Sequence, residues 1–281
     1  MASYVVTPKA EVSSLSDTNL RARTVISNAS NRTIIPYAFD SSLGTNFTQQ
    51  ACPNFFHTFL QDQNFIGCYP FSFFLQNSES FFSIVRQGAF KLSSTMDTIC
   101  SVNSTICGQV MNYYGTQLLS ENTCLEDYEL ENPLVRQAYN AFTSYNMLYS
   151  SGCLKSSTGS YCYVDSVTNS TNPGDSYLYY LPLGISLPGG VRPSCSSCSQ
   201  DIMSVLFNYA GNTSIPLSRT YVSSGQLLNI NCGPNFVSTA VQPIRPETTS
   251  FSALAPGVSP GALEASIVAL ISSLAVYLGL L

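Results

Sequence analysis

Ten cysteines carry most of the covalent chemistry open to this chain: Cys52, Cys68, Cys100, Cys107, Cys124, Cys153, Cys162, Cys195, Cys198 and Cys232. An even count that leaves none over fits a disulfide framework made in an oxidising compartment. Metal ligation is disfavoured, because only Cys195 and Cys198 have paired ligand spacing and the chain has one histidine, His57. Cys195-Ser196-Ser197-Cys198 opens a helical pattern, where a helix N-terminus lowers a thiol pKa in redox-active pairs. That chemistry also needs a βαβ frame, which the sequence does not offer, so structural bridging is expected. Two local pairings are compatible with the spacing. Cys153 and Cys162 flank a loop containing Gly159. Cys100 and Cys107 would lie about 10 Å apart along a continuous helix at 1.5 Å per residue, beyond bridging reach, so they pair only across a turn at 101–104.

Other reactive groups are sparse. Glu126, Asp127, Glu129 and Glu131 could supply the paired carboxylates of a glycosidase. They also precede a helix beginning at Pro133, where the dipole favours negative charge, and they lack EF-hand spacing. His57 has no second histidine for a multi-His metal site, and no serine lies in a G-x-S-x-G motif. No catalytic residue, metal ligand or cofactor is assigned. Tyr177, Tyr179 and Tyr180 are the candidate recognition surface, since exposed rings stack on sugars or anchor partners. The alternation of Tyr177 and Tyr179 equally fits one buried face of a strand.

Six asparagines sit in N-x-S/T acceptor sites: Asn28, Asn31, Asn46, Asn103, Asn169 and Asn212. Asn172 is blocked by Pro173, and Asn122-Thr123-Cys124 is a weak variant. At the far end, Ala265–Leu281 carries no charge. Ahead of it, Thr248–Pro260 is small, polar and proline-containing, as a stalk is. Small residues at Gly257-Val258-Ser259 form a candidate attachment site for a glycosylphosphatidylinositol (GPI) anchor, with Gly257 as acceptor and Ala253 as fallback. A retained span would need about 20 apolar residues and flanking Lys/Arg, and this tail is shorter and has no basic residue after it. Met1–Thr24 holds no apolar run longer than Tyr4-Val5-Val6, so a secretory reading requires a signal peptide that this chain does not contain. The expected location is the extracellular face of the plasma membrane or the cell wall.

Positioning these groups falls to helices. Pro133–Tyr149 is the clearest, with Asn132 as N-cap, Pro133 at N1 and Leu134, Ala138, Ala141, Phe142, Tyr145 and Leu148 on one face. Cys198–Tyr209 and Leu217–Cys232 follow the same period. Thr105–Leu119 would turn Ile106, Val110, Tyr113, Tyr114 and Leu118 inward from a Ser104 cap. Shorter helices are expected at 53–63, 78–86 and 91–100. Residues 154–193 break the pattern and read as a long ordered loop or a hairpin, rich in Tyr, Pro and Gly. The fold class is therefore mainly α: a disulfide-braced helical domain at 51–237 with an irregular insertion. It is flanked by a disordered glycosylated leader at 1–50, a Ser/Pro/Ala-rich stalk at 238–264 and the GPI signal at 265–281. Only 10% of residues are charged, against about 25% in a typical soluble domain, as suits a surface solvated by sugars. The net charge of −5 leaves no basic footprint for nucleic acid.

Several short motifs recur in order: Cys52-Pro53 with Phe55-Phe56, Phe65-x-x-Cys68-x-Pro70-Phe71-Ser72, Asn132-Pro133-Leu134-Val135, Tyr161-Cys162-Tyr163, Tyr180-Leu181-Pro182-Leu183-Gly184, Cys195-x-x-Cys198 and Cys232-Gly233-Pro234-x-Phe236-Val237. Across 52–237 the chain resembles a family of ascomycete fungal, cysteine-rich, GPI-anchored cell-surface proteins with no established activity. The resemblance implies an extracellular fungal protein and carries no catalytic residue. The leading expectation is a non-enzymatic surface glycoprotein in cell-wall organisation, adhesion or ligand binding. Its partners would be the membrane, through the lipid anchor, and wall glycans or a surface protein. The alternatives are an anchored wall-polysaccharide-modifying enzyme using the acidic run, and a co-receptor or sensor.

Overall fold

The computed structural model describes residues 35–244, and every named element among them is helical. In chain order these are α1 (Ala51–Gln61), α2 (Gln63–Ile66), α3 (Phe71–Gln76), α4 (Glu79–Arg86), α5 (Ala89–Ile99), α6 (Ser104–Leu118), α7 (Leu125–Glu129), α8 (Pro133–Gly152) and α9 (Cys162–Thr168). A 3₁₀ segment, Pro173–Leu183, then leads to α10 (Ser197–Ala210) and α11 (Leu217–Cys232). The chain is mainly α, as its periodicity predicts. Residues 1–34 of the expected leader, the candidate GPI acceptors Gly257 and Ala253, most of the stalk and the apolar tail fall outside the described residues.

α8 is the axis. Asn132 caps it by accepting from the Leu134 N–H at 3.1 Å, and Pro133 fills N1. Its buried side chains reach round more than one face, because it packs between two halves of the core. Val135, Ala138, Ala141, Phe142 and Tyr145 join Phe39, Phe56, Phe59, Phe65 and Phe73 in one half. Met147 and Leu148 join Phe71, Phe81, Tyr163, Tyr179, Leu206 and Tyr221 in the other. The first half is knit by edge-on rings, among them Phe73 against Phe142 at 4.6 Å and Phe59 against Phe65 at 5.0 Å.

The packed chain begins before 51. Phe39 is buried against Phe56 at 5.4 Å. The Asp40 carboxylate accepts from the Glu79 and Ser80 N–H groups at 2.7 and 2.9 Å, helping Ser78 cap α4. Residues 35–50 thus differ from the disordered leader expected from their composition: Phe39 and Leu43 are buried, and Asp40 and Thr48 hydrogen-bond to α4 and α7.

The irregular insertion is in part as expected: it opens on a short hairpin with an antiparallel bridge between Lys155 and Tyr161 and runs irregularly over 184–196, but α9 and a 3₁₀ segment fill its middle. Its 3₁₀ turns bury Leu178, Tyr179, Leu181 and Leu183. The Leu181, Pro182 and Leu183 carbonyls accept from Thr220 Oγ1 at 2.8 Å, Ser144 Oγ at 2.6 Å and Asn140 Nδ2 at 3.2 Å. Side chains of α8 and α11 thereby satisfy polar groups that Pro182 and the segment's end would leave bare. Gly184 stops the segment at φ +83°, where an added Cβ would meet Pro216 Cβ at 2.9 Å.

All ten cysteines are bridged: Cys52–Cys124, Cys68–Cys107, Cys100–Cys153, Cys162–Cys198 and Cys195–Cys232. Both local pairings fail. Cys107 lies on the inner face of α6 and meets Cys68 ahead of α3, while Cys100 ends α5 beside Cys153 at the end of α8. Hydrogen bonds, not sulfur, close the 154–161 loop: the Ser156 N–H donates to the Ser160 carbonyl at 2.8 Å and the Cys162 N–H to the Leu154 carbonyl at 2.9 Å. Cys195 and Cys198 part company to opposite partners, so no redox pair forms there.

Candidate binding groove

α6 crosses α8 at two glycines one heptad apart. A Cβ on Gly115 would come within 3.1 Å of Phe142 Cβ, and one on Gly108 within 2.6 Å of Asn146 Oδ1. The absent side chains leave a groove of about 400 Å³ between the helices, inside the range of about 300–1,000 Å³ typical of small-molecule sites. Met111, Leu119 and Phe142 line it with apolar surface; Asn112, Thr116, Thr143 and Asn146 line it with polar groups; Tyr139 and Tyr145 do both. None of these residues carries a charge.

The polar groups are unequally engaged. Thr116 and Thr143 hydroxyls donate back to helix carbonyls of Asn112 and Tyr139 at 2.9 and 3.0 Å. The exposed Asn112 and Asn146 carboxamides have no hydrogen-bond partner among the described residues. The Tyr145 hydroxyl is buried and unpartnered, and burial, then the neighbouring Tyr149, drives its pKa far up. Tyr139, half-buried edge-on to Tyr128 at 4.9 Å, has its phenol pushed up by burial first and Tyr128 second. The accessible wall is therefore a set of neutral donors and acceptors beside the half-buried Tyr139 ring, over a floor of buried Met111, Phe142 and Tyr145.

A second, smaller cleft of about 280 Å³ lies between α9 and α10, with Asp165, Asp175 and several serines in its wall. Its carboxylates are already occupied. Asp175 accepts from the Ser194 N–H and hydroxyl at 2.5 and 2.7 Å, and Asp165 accepts from Ser160 at 2.5 Å.

The residues singled out from sequence are scattered. Tyr179 is buried in the core, while exposed Tyr177 and half-buried Tyr180 pack against each other with ring centroids 6.4 Å apart. A 3₁₀ turn of three residues, in place of a strand's two, sets Tyr177 and Tyr180 on one face and turns Tyr179 inward. The acidic run is divided as well. Asp127 is buried and accepts from the Thr48 N–H and hydroxyl at 3.0 and 3.1 Å; exposed Glu126 accepts from Gln49 Nε2 at 2.6 Å; Glu129 and Glu131 are exposed. Those bonds clasp residues 48–49 onto α7. His57 is exposed on α1. Among the described residues no cluster of His, Cys, Asp or Glu could hold a metal, and no helix is long and apolar enough to cross a membrane. Asn46, Asn103, Asn169 and Asn212 are all exposed, and Asn28 and Asn31 lie outside the described residues. The groove residues escaped the sequence reading; the one signal for them is the seven-residue spacing of Gly108 and Gly115 in a helical stretch.

A family model described as a domain of unknown function (DUF7729) matches residues 34–241. No curated protein and no solved structure gives a match.

Proposed function

Since the chain belongs to the DUF7729 family, we propose that it is an extracellular, non-enzymatic surface glycoprotein, GPI-anchored through Gly257, that binds uncharged saccharides of a fungal wall in the α6–α8 groove. The observation that carries this reading is the groove wall. The half-buried Tyr139 ring packs on the apolar C–H surface of a sugar, and the free carboxamides of Asn112 and Asn146 each offer a donor and an acceptor to hydroxyls that are both. A wall without charge gives no advantage to phosphate, sulfate or carboxylate ligands. Five disulfides fit a protein folded outside the reducing cytosol, and the four exposed acceptor asparagines fit a glycosylated one.

Calorimetric titration with neutral gluco-, manno- and chito-oligosaccharides tests it. One class should bind, and Asn112→Ala with Asn146→Ala should weaken that binding about tenfold, each amide bond contributing about 0.5–1.5 kcal/mol. Saturable binding that both substitutions leave unchanged sinks the groove as the site; no binding to any of the three sinks the function.

A further inference from the structure

The outer face of α6 breaks the rule its inner face obeys. Ile106 and Tyr113 are 57% and 59% exposed, with half-buried Val110 between them. Positions 106, 110 and 113 form one stripe along a helix, and a solvent-facing stripe is ordinarily polar. At its head sits Asn103, the N-cap of α6 and the acceptor of Asn103-Ser104-Thr105. Its Oδ1 accepts from the Thr105 and Ile106 N–H groups, both at 3.1 Å. That holds the carboxamide against the start of the stripe. Nδ2, the atom a glycan takes, has no partner among the described residues.

We propose that an N-linked glycan on Asn103 runs along α6 and covers Ile106, Val110 and Tyr113, so that the sugar is a packing element of the domain. The inference rests on the secretory reading above only in requiring Asn103 to be glycosylated. The linkage joins Nδ2 to the anomeric carbon of the sugar. Nδ2 releases one proton to solvent, the anomeric C–O bond of a lipid-diphosphate oligosaccharide donor breaks, and the lipid diphosphate departs intact. Oδ1 is untouched, so the cap survives. At 1.5 Å per residue, Ile106 lies about 5 Å and Tyr113 about 15 Å along the axis from Asn103, the territory of the first few sugars. Their C–H faces stack on the Tyr113 ring and cover the Ile106 side chain. Of the four described acceptor asparagines, Asn103 is the one that caps the start of a helix.

Thr105→Ala tests this without harming the cap, since Thr105 contributes to it only a backbone N–H. Protein from a secretory host is compared with the variant by intact mass and by hydroxyl-radical labelling. The wild type should carry a glycan on Asn103 and label Ile106 far less than Ile230, which is 81% exposed. In the variant, labelling of Ile106 and Tyr113 should rise to the level of such exposed residues, an apolar dye should bind, and Tm should fall by about 2–4 °C. Ile106→Gln and Tyr113→Gln added to Thr105→Ala should abolish the dye binding. Should the variant fail to be secreted, endoglycosidase trimming of the folded wild type must produce the same unmasking. An occupied Asn103 with equal labelling before and after glycan loss overturns the inference alone. A bare Asn103 in the native protein overturns it together with its premise.

Discussion

Asp127 and Glu129 stand two positions apart in one acidic run, and the fold treats them oppositely. Asp127 is buried with three donors around it, the Thr48 N–H, the Thr48 hydroxyl and, at 3.4 Å, Asn132 Nδ2; Glu129 faces water. Asp127→Ala removes a buried, charged acceptor and the bonds that hold Thr48, and should cost about 1–3 kcal/mol, whereas Glu129→Ala should fall within about 0.5 kcal/mol of wild type; chemical denaturation of the two variants checks the contrast. The tyrosines give a second prediction. Burial pushes the Tyr221 phenol up to about 12, and burial followed by the Asp97 hydrogen bond does the same for Tyr161. Both folded values lie above the ordinary 10.0, so the neutral phenol is the favoured form. Their contribution to stability is whole below about pH 10 and is lost as pH rises towards 12. Phenolate absorbance should therefore show a group of tyrosines that ionises only above about pH 10, together with loss of helical dichroism. At this scale the sequence is legible where a side chain acts on its own backbone. Asn132-Pro133 announces its cap, while the partner of Asp127 is 79 positions away and leaves no local mark.

Helices were readable wherever one period ran long enough. α8, α10 and α11 begin and end within a few residues of their expected bounds, because apolar positions recur over at least three turns. α6 was found with its phase rotated: Cys107, Met111 and Gly115 turn inward while Ile106 and Tyr113 turn out. A hydrophobicity count ranks isoleucine above glycine and cannot know that Cys107 is tied to Cys68. α3 and the 3₁₀ segment were missed, the first for its six residues and the second because its turns close on three residues and hold a proline. Loop glycines carry hidden information too. Gly211, at the end of α10, receives the Ile244 N–H on its carbonyl at 2.7 Å, and an added Cβ would stand 2.3 Å from the Gln242 carbonyl oxygen. Gly211→Ala should release residues 241–244 from α10. It should lower stability by about 1–3 kcal/mol and speed proteolytic cleavage in 238–244 relative to wild type.

Across the described residues, both core halves close on α8, so neither half buries its apolar surface without it. The disulfides follow a different division. Three of them join cysteines from 52 to 153, with Cys100–Cys153 overlapping the spans of the other two. The remaining two interlock between 162 and 232. No sulfur crosses from one set to the other, and the strip between them, 154–161, holds an exposed lysine, Lys155. A single tryptic nick after Lys155 would therefore yield a two-chain molecule whose pieces are joined by nothing covalent. Unreduced gels in detergent should show it falling into two fragments, while native size exclusion keeps them as one particle for as long as α8 holds its neighbours. Sulfur makes each piece durable, while oil-like cohesion and a few hydrogen bonds, such as Ser144 to the Pro182 carbonyl, make them a pair.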